Sequence, residues 1–265
     1  MIGKTSFLYK YRPELSMLFW EVFRRNMIVF NKYWFSNIMF NFLEPLLYLL
    51  ALGIGLGLYI PEIEGLSYLE FISPGILASS AMWATSFECT YNSFIRLQVQ
   101  KTYHAIVSTP VSLDEIVMGD IAFGAFKSMF YGSIFLVVLF FLGYISSPLA
   151  LLVPVVLILS GVVFAQLSMI WTSVAPNMEL FSYYFTLFIT PMFLFSGIFF
   201  PIENMPIFVQ RLAWFTPLFH SVQICRGLIT GQFDPLLWAN LLVLILFAAI
   251  LFFPPLILMR RRLIK

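Results

Sequence analysis

Charge is what this sequence has least of. Only 11% of its 265 residues are Asp, Glu, Lys or Arg, against 61% hydrophobic and 18% aromatic residues, with a mean hydropathy of +0.92. A soluble globular domain carries about a quarter charged residues, so this chain cannot cover its own surface with polar groups. The composition is that of an integral membrane protein. Cysteine is scarce too. Cys89 and Cys225 lie in separate apolar neighbourhoods at no disulfide or metal-ligand spacing and read as small buried side chains. There are only two histidines, His104 and His220, about a membrane apart, which excludes a shared metal and a paired acid–base role. The alternating pattern of a membrane barrel strand is absent, leaving helices. A net charge of only +2 makes no case for a nucleic-acid partner.

Long apolar runs are plentiful. A bilayer core takes about 20 apolar residues per helix, and six segments qualify: 38–60, 71–94, 117–143, 149–174, 180–200 and 236–259. Pro61 with Glu62, Glu64 and Gly65, then Ser146-Ser147-Pro148, then Ala175-Pro176-Asn177 punctuate them. The first 37 residues have no uninterrupted apolar stretch or small-residue cleavage site, so the first run is expected to remain as a span.

Basic residues set the expected orientation. Lys4, Lys10, Arg12, Arg24, Arg25 and Lys32 precede the first run, Arg96 and Lys101 follow the second, and Arg260, Arg261, Arg262 and Lys265 end the chain. With an even number of spans these twelve of the fifteen bases fall on one side, which predicts both termini in the cytoplasm. The other side holds Arg211 and Arg226, and its first loop holds only acids.

Two segments are neither span nor plain loop. Residues 12–34 put Leu15, Leu18, Phe19, Val22 and Phe23 on one helical face, the pattern of an amphipathic helix in the membrane interface. Residues 201–235 are too polar and proline-broken to span, yet too apolar to be solvated. They read as short re-entrant helices before the last span.

Candidate functional residues are few. Glu44, Glu88 and Lys127 interrupt apolar runs on three helices, each about 9–12 Å from the cytoplasmic end. Ionisable groups at such depth are costly; they read either as a shared polar layer forming an inner gate, or as a static ion pair or snorkelling side chains. Trp214, Phe219, His220 and Arg226 cluster in the outer segment, where Arg with aromatics suits a phosphate or sugar and where capping or interhelical hydrogen bonds are the alternative. Gly53, Gly55 and Gly57 follow no strand, so they read as helix-packing glycines and not as a nucleotide loop. Gly3-Lys4-Thr5 matches only the end of a phosphate-binding loop, and no ATP site is expected. No metal set and no catalytic constellation emerges. An intramembrane enzyme would need a nucleophile–base pair at one depth, and an ion-driven secondary transporter would need inverted repeats with broken midplane helices. Neither pattern is found.

FLEPLLYLLALGIGLG (42–57), FISPGILASSAM (71–82), the V-STPVS-EI pattern of 107–116 and FSGIFFPIENMPIFVQRLAWFTPLFHSVQICRGL (195–228) together resemble an ABC-2-type permease, the membrane subunit of an ABC exporter. The resemblance covers nearly all of residues 1–265, as a single transmembrane domain. It implies pairing with a second permease, either another copy in a homodimer or a related chain, and with two copies of a separate ATPase subunit that carries the ATP and Mg, leaving no cofactor in this chain. In 96–116 it implies an ATPase-coupling helix within Lys101, Thr102, Tyr103, His104, Ala105, Ile106, Val107, Ser108 and Thr109, ended by Pro110. PLFHS (217–221) and the run through Arg226 look closer to nodulation-type lipo-oligosaccharide and polysaccharide exporters than to antibiotic-efflux permeases of the same family. The location implied is the bacterial inner membrane.

Overall fold

The computed structural model describes residues 16–60, 62–232 and 235–263, and these are all-α apart from one hairpin of two-residue strands. Leu15, Pro61, Lys265 and the Gly3-Lys4-Thr5 motif lie outside the described residues. In chain order come α1 (Phe19–Lys32), α2 (Trp34–Gly57), β1 (Glu62–Ile63), β2 (Leu66–Ser67) and α3 (Tyr68–Phe87). Two π-helical turns, Glu88–Asn92 and Ile95–Val99, prolong α3 and lead to α4 (Thr102–Val107). There follow α5 (Leu113–Phe141), a 3-10 turn leading into α6 (Val153–Val174), α7 (Leu180–Tyr184) continued by a π turn into α8 (Thr190–Phe195), α9 (Ile207–Trp214), α10 (Pro217–Thr230), α11 (Leu237–Ile250) and α12 (Phe253–Leu263).

Among the described residues, three helical runs are long and apolar enough to cross a membrane: Leu113–Phe141, Pro148–Val174 and Leu237–Leu263. Leu43–Gly57 and Leu180–Phe195 are shorter apolar helices. α3 differs in kind. It carries Ser73, Ser79, Ser80, Thr85 and Ser86, and nearly every residue from Phe71 to Ser86 is buried. It is the central helix, walled by its neighbours, and its hydroxyls are served internally: Ser79 and Ser80 donate to the Ile76 and Leu77 carbonyls at 2.8 Å. A helix surrounded by protein need not be greasy outside. The segment expected to dip back carries α9 and α10, eight and fourteen residues long. At 1.5 Å per residue these reach about 12 and 21 Å, too short to cross a core of about 30 Å.

Local chemistry sets the joints. Ser67 and Glu70 form a reciprocal capping box at the start of α3, and Ser112 with Glu115 forms another at the start of α5, each satisfying donors that a helix N-terminus leaves free. Glu64 and Gly65, both at positive φ, make the two-residue turn that pairs Ile63 with Leu66. Gly231 in the left-handed region ends α10 by donating to the Gly227 carbonyl. Lys101, also left-handed at φ 53°, turns the chain from the π segments into α4.

Close helix approach depends on glycines other than most of those expected. Of Gly53, Gly55 and Gly57, only Gly53 would drive a Cβ into a neighbour, the Leu69 side chain; Gly57 would meet Tyr68 Cβ at an ordinary 4.0 Å and Gly55 faces open space. The tight crossing is α5 with α6. A Cβ on Gly161 would come within 2.6 Å of Ser128 Cβ and 2.8 Å of Ala125 Cα. Gly161→Ala is therefore expected to cost about 1–3 kcal/mol by overpacking, whereas Gly55→Ala gains up to about 1 kcal/mol from helix propensity. Thermal unfolding of the two variants in the same detergent checks the difference in sign.

Candidate coupling site

Among the described residues, the buried carboxylates and all the buried cations but Arg226 gather at one end of the bundle. Glu88, on the first π turn, accepts from Lys127 Nζ of α5 at 2.6 Å, from Arg96 Nη1 of the second π turn at 2.7 Å and from Asn92 Nδ2 at 2.7 Å. Arg96 Nη2 reaches on to Asp120 of α5 at 3.1 Å and donates to Ser93 Oγ at 2.9 Å. Asp120 is fully buried and accepts in addition from Ser93 Oγ at 3.0 Å, from Asn26 Nδ2 of α1 at 2.7 Å and from the Tyr103 hydroxyl of α4. Lys127 Nζ also lies 5.7 Å from the ring centroids of both Phe30 and Phe123. Burying isolated charges costs several kcal/mol each; alternating two carboxylates with two cations, and filling the remaining lone pairs with amide and hydroxyl donors, is what offsets that cost here.

Tyr103 is the member that comes from outside the long helices. It is 1% exposed, and burial, reinforced by the Asp120 carboxylate, pushes its phenol well above the ordinary value of 10. It therefore stays protonated and donates throughout the physiological range. The rest of α4 turns the other way: His104, Ala105, Val107, Ser108 and Thr109 are exposed, with Thr102 and Ile106 half-buried. Thr109 Oγ1 and Ser108 Oγ donate to the Ile106 and His104 carbonyls at 2.6 and 3.3 Å, closing the helix before Pro110. α4 is thus a short rod with a bare outer side and one inward anchor.

The flanking segments gather at the same end. Ser16 donates its backbone N–H to Glu115 at 2.9 Å, Arg260 of α12 pairs with Asp114 at 3.8 Å, and Arg262 donates to the Thr172 carbonyl at the end of α6. Helix α1 lies against α5, with Val22 on Gly119 and Phe30 ringed by Phe123, Phe126, Phe130 and Tyr131. The face that carries Phe19, Val22 and Phe23 meets protein. A second apolar set, Trp20, Ile28 and Val29, is the exposed one.

Of the three residues expected at one depth, Glu88 and Lys127 are in direct contact and Glu44 is elsewhere. It is an exposed residue of α2, on a cavity of about 340 Å³ with Tyr48, Ser79, Ser80, Trp83, Phe87 and Phe193. Equal distance along three helices fixes height and says nothing about which way each face points. Asp120 and Arg96 went unremarked as partners, although spacing carried the signal: Glu88, Asn92 and Arg96 recur every four residues, and Asp120 and Lys127 are seven apart.

At the other end the outer-segment residues are held inside the protein. His220 is fully buried; its Nε2 donates to the Trp214 carbonyl at 2.7 Å, and Nδ1 lies 2.7 Å from the side-chain amide oxygen of Asn240 on α11. Its ring sits edge-on to Trp214 and Phe219 at 5.5 and 5.3 Å. Arg226 donates to the Gly197 carbonyl at 2.6 Å, and its guanidinium carbon lies 4.0 Å from the Phe71 ring centroid. Both are engaged in interhelical contacts, while Trp214 is half-exposed.

Glu88 serves two cations at once, and that separates a network from a simple pair. Glu88→Gln, which leaves Lys127 without its carboxylate and Arg96 with Asp120 alone, is expected to lower stability by about 3–5 kcal/mol. Exchanging the charges, Glu88→Lys with Lys127→Glu, is expected not to restore it, because Arg96 then faces a lysine. Detergent-solubilised melting temperatures of the single and double variants check this; full recovery in the double variant is the contrary result.

The profile of the ABC-2 type transporter family matches residues 17–230. Nodulation protein J of Rhizobium meliloti (strain 1021) is 39% identical over 244 residues, covering 91% of this chain and 92% of that protein. Nodulation protein J of Rhizobium leguminosarum bv. viciae is 37% identical over 246 residues, 92% of this chain and 94% of the relative. The inner membrane transport permease YadH of Escherichia coli (strain K12) is 23% identical over 218 residues, 82% of this chain and 85% of the relative. With most of its length matched and its helices apolar enough for a bilayer, the chain belongs to the ABC-2 type transporter family and is a membrane permease.

Proposed function

We propose that this chain is the membrane half of an ATP-driven exporter in the bacterial inner membrane. It spans the bilayer six times with both termini in the cytoplasm, and α9 and α10 enter the outer leaflet without crossing. Two copies pair, and each docks one ATPase subunit, which carries the ATP and Mg, against the outer side of α4. The observation that carries this reading is the division of α4, a bare face of His104, Ala105 and Val107 joined through Tyr103 to charges on α3 and α5. A push on that face reaches the long helices through hydrogen bonds and ion pairs that break only at the cost of buried charge.

The cargo proposed is an amphipathic glycan, a lipo-oligosaccharide or lipid-linked polysaccharide. The relatives named nodulation proteins favour it, and so does a stack of rings beside the Glu44 cavity. Trp83 and Phe87 lie 5.4 and 4.5 Å from Phe185, nearly parallel to it, and Tyr91 continues the row at 5.8 Å. Flat rings suit the apolar faces of sugars, and Ser79 and Ser80 line the same cavity. Reconstitution with the ATPase tests the coupling. Tyr103→Phe keeps the outer face of α4, so ATPase association is expected to persist, while cargo-stimulated hydrolysis falls about tenfold, the size of a typical coupling free energy. His104→Ala with Val107→Ala is expected to weaken association itself. Wild-type behaviour of both variants sinks the assignment of α4.

A further inference from the structure

Beside the charge network, between α1, the π segments and α5, lies a pocket of about 310 Å³. That is at the lower end of the range of small-ligand sites, roughly 300–1,000 Å³. Three cations line it, Arg25, Arg96 and Lys127. The carboxylates of the network, Glu88 and Asp120, are taken up by Arg96 and Lys127. Arg25 is left over. Its guanidinium donates to Asn26 Oδ1 at 3.3 Å, and among the described residues no carboxylate lies within 4 Å of it. Burial, and then the like charge of Arg96, hold its pKa below the ordinary value, with the Asp120 carboxylate only partly offsetting them. Arg96 also keeps its buried Nε–H without a partner in the chain. The electrostatics of the pocket are those of an anion site, and a guanidinium fits phosphate geometry.

The surroundings say which anion. Val29 at the pocket is 51% exposed, and the same helix turns Trp20 and Ile28 outward, with Trp34 and Phe35 following. The exposed side of α1 therefore mixes apolar side chains with Glu21, Arg24 and Lys32, a composition suited to the headgroup layer of a bilayer surface. The pocket walls are mixed: Phe30 and Phe123 beside the cations. We propose that the pocket binds the phosphate of an anionic phospholipid at the membrane interface, with Arg25 as its principal contact and the aromatic walls against the glycerol region. The bound phosphate supplies the missing negative charge next to Arg96, the residue that links Asp120 to Glu88. The inference needs only the interfacial position of α1 and stands apart from the docking of an ATPase on α4.

Native mass spectrometry of the full chain in detergent micelles, with phosphatidylglycerol or phosphatidylcholine added in equal amounts, tests it. Phosphatidylglycerol is expected to be retained about fivefold more, the equivalent of one basic side chain acting on an anionic lipid. Arg25→Gln is expected to erase the preference and Arg25→Lys to keep most of it. Arg24→Gln, at an exposed residue already paired with Glu21 at 3.5 Å, is expected to leave it unchanged. Should Arg25→Gln fail to fold, Val29→Glu, at an exposed position of the pocket, is expected to abolish the preference by repulsion. Equal retention of the two lipids, or equal loss from the Arg24 and Arg25 variants, overturns the proposal. So does protection by millimolar inorganic phosphate that matches phosphatidylglycerol and removes its advantage, which would assign the pocket to a soluble anion.

Discussion

Asp120 is a carboxylate with no exposed surface, and four side chains from three separate segments point donors at it: Asn26 from α1, Ser93 and Arg96 from the π turns, and Tyr103 from α4. A buried anion of this kind is tolerable only while its donors stay in place. It therefore specifies the relative positions of everything that supplies one. Helix α1, the end of the central helix and the short helix beyond it share an apolar cluster with α5 through Val22, Leu97, Tyr103 and Ile116, but apolar contact alone is non-directional and leaves their register loosely set. Asp120 imposes it.

The π turns make that convergence possible. Across residues 88–99 the helix opens to i→i+5 bonding, as when Gln100 N–H donates to the Ile95 carbonyl at 2.8 Å and Ser93 N–H to the Glu88 carbonyl. Each such turn shifts the facing of all that follows. Glu88, Ser93 and Arg96 thereby address α5 together, while Trp83, Phe87 and Tyr91 form the aromatic row with Phe185, itself the first residue of a π turn. One irregular stretch presents a charged side and an aromatic side.

Much of this was legible in the sequence, and the limits were physical. Composition alone demanded a helical membrane protein, and the breaks at Ser146-Ser147-Pro148 and Ala175-Pro176-Asn177 fall where helices end. The pairing of Glu88 with Lys127 had a signal in depth. The exclusion of Glu44 had none, since facing depends on how α2 packs. Tyr103 belonged to a stretch read as outward contact, yet its ring is buried and His104 beside it is exposed. In a six-residue helix the inward residue is chosen by its partner, and that partner, Asp120, lies about two turns inside α5. His220 and Arg226 carried the polarity of a ligand site, but in an apolar bundle a polar side chain is as readily consumed by a neighbouring carbonyl, as the Trp214 and Gly197 oxygens do here.

The two ends of the bundle differ in what it costs to deform them. At the outer end the polar contacts are mostly neutral or reach backbone carbonyls: His220 to Trp214, Ser221 to Ser160, Ser146 to the Ile229 carbonyl. Net contributions of neutral bonds are about 0.5–1.5 kcal/mol each, and a shifted hydroxyl readily finds another acceptor. At the inner end, drawing Tyr103 or Arg96 away uncovers buried charge, at a cost of several kcal/mol that no nearby group can replace. On the proposed coupling, force applied to α4 is therefore not absorbed by local bending at the inner end. α1, α4 and the ends of α3 and α5 move as a block, and the displacement appears where the contacts are cheap to exchange, around α9 and α10. On that proposal, an inner end tied by paired charges and an outer end held mostly by replaceable hydrogen bonds, with Arg226 on the Gly197 carbonyl as its buried cation, would let a push on α4 from the cytoplasm open the far side.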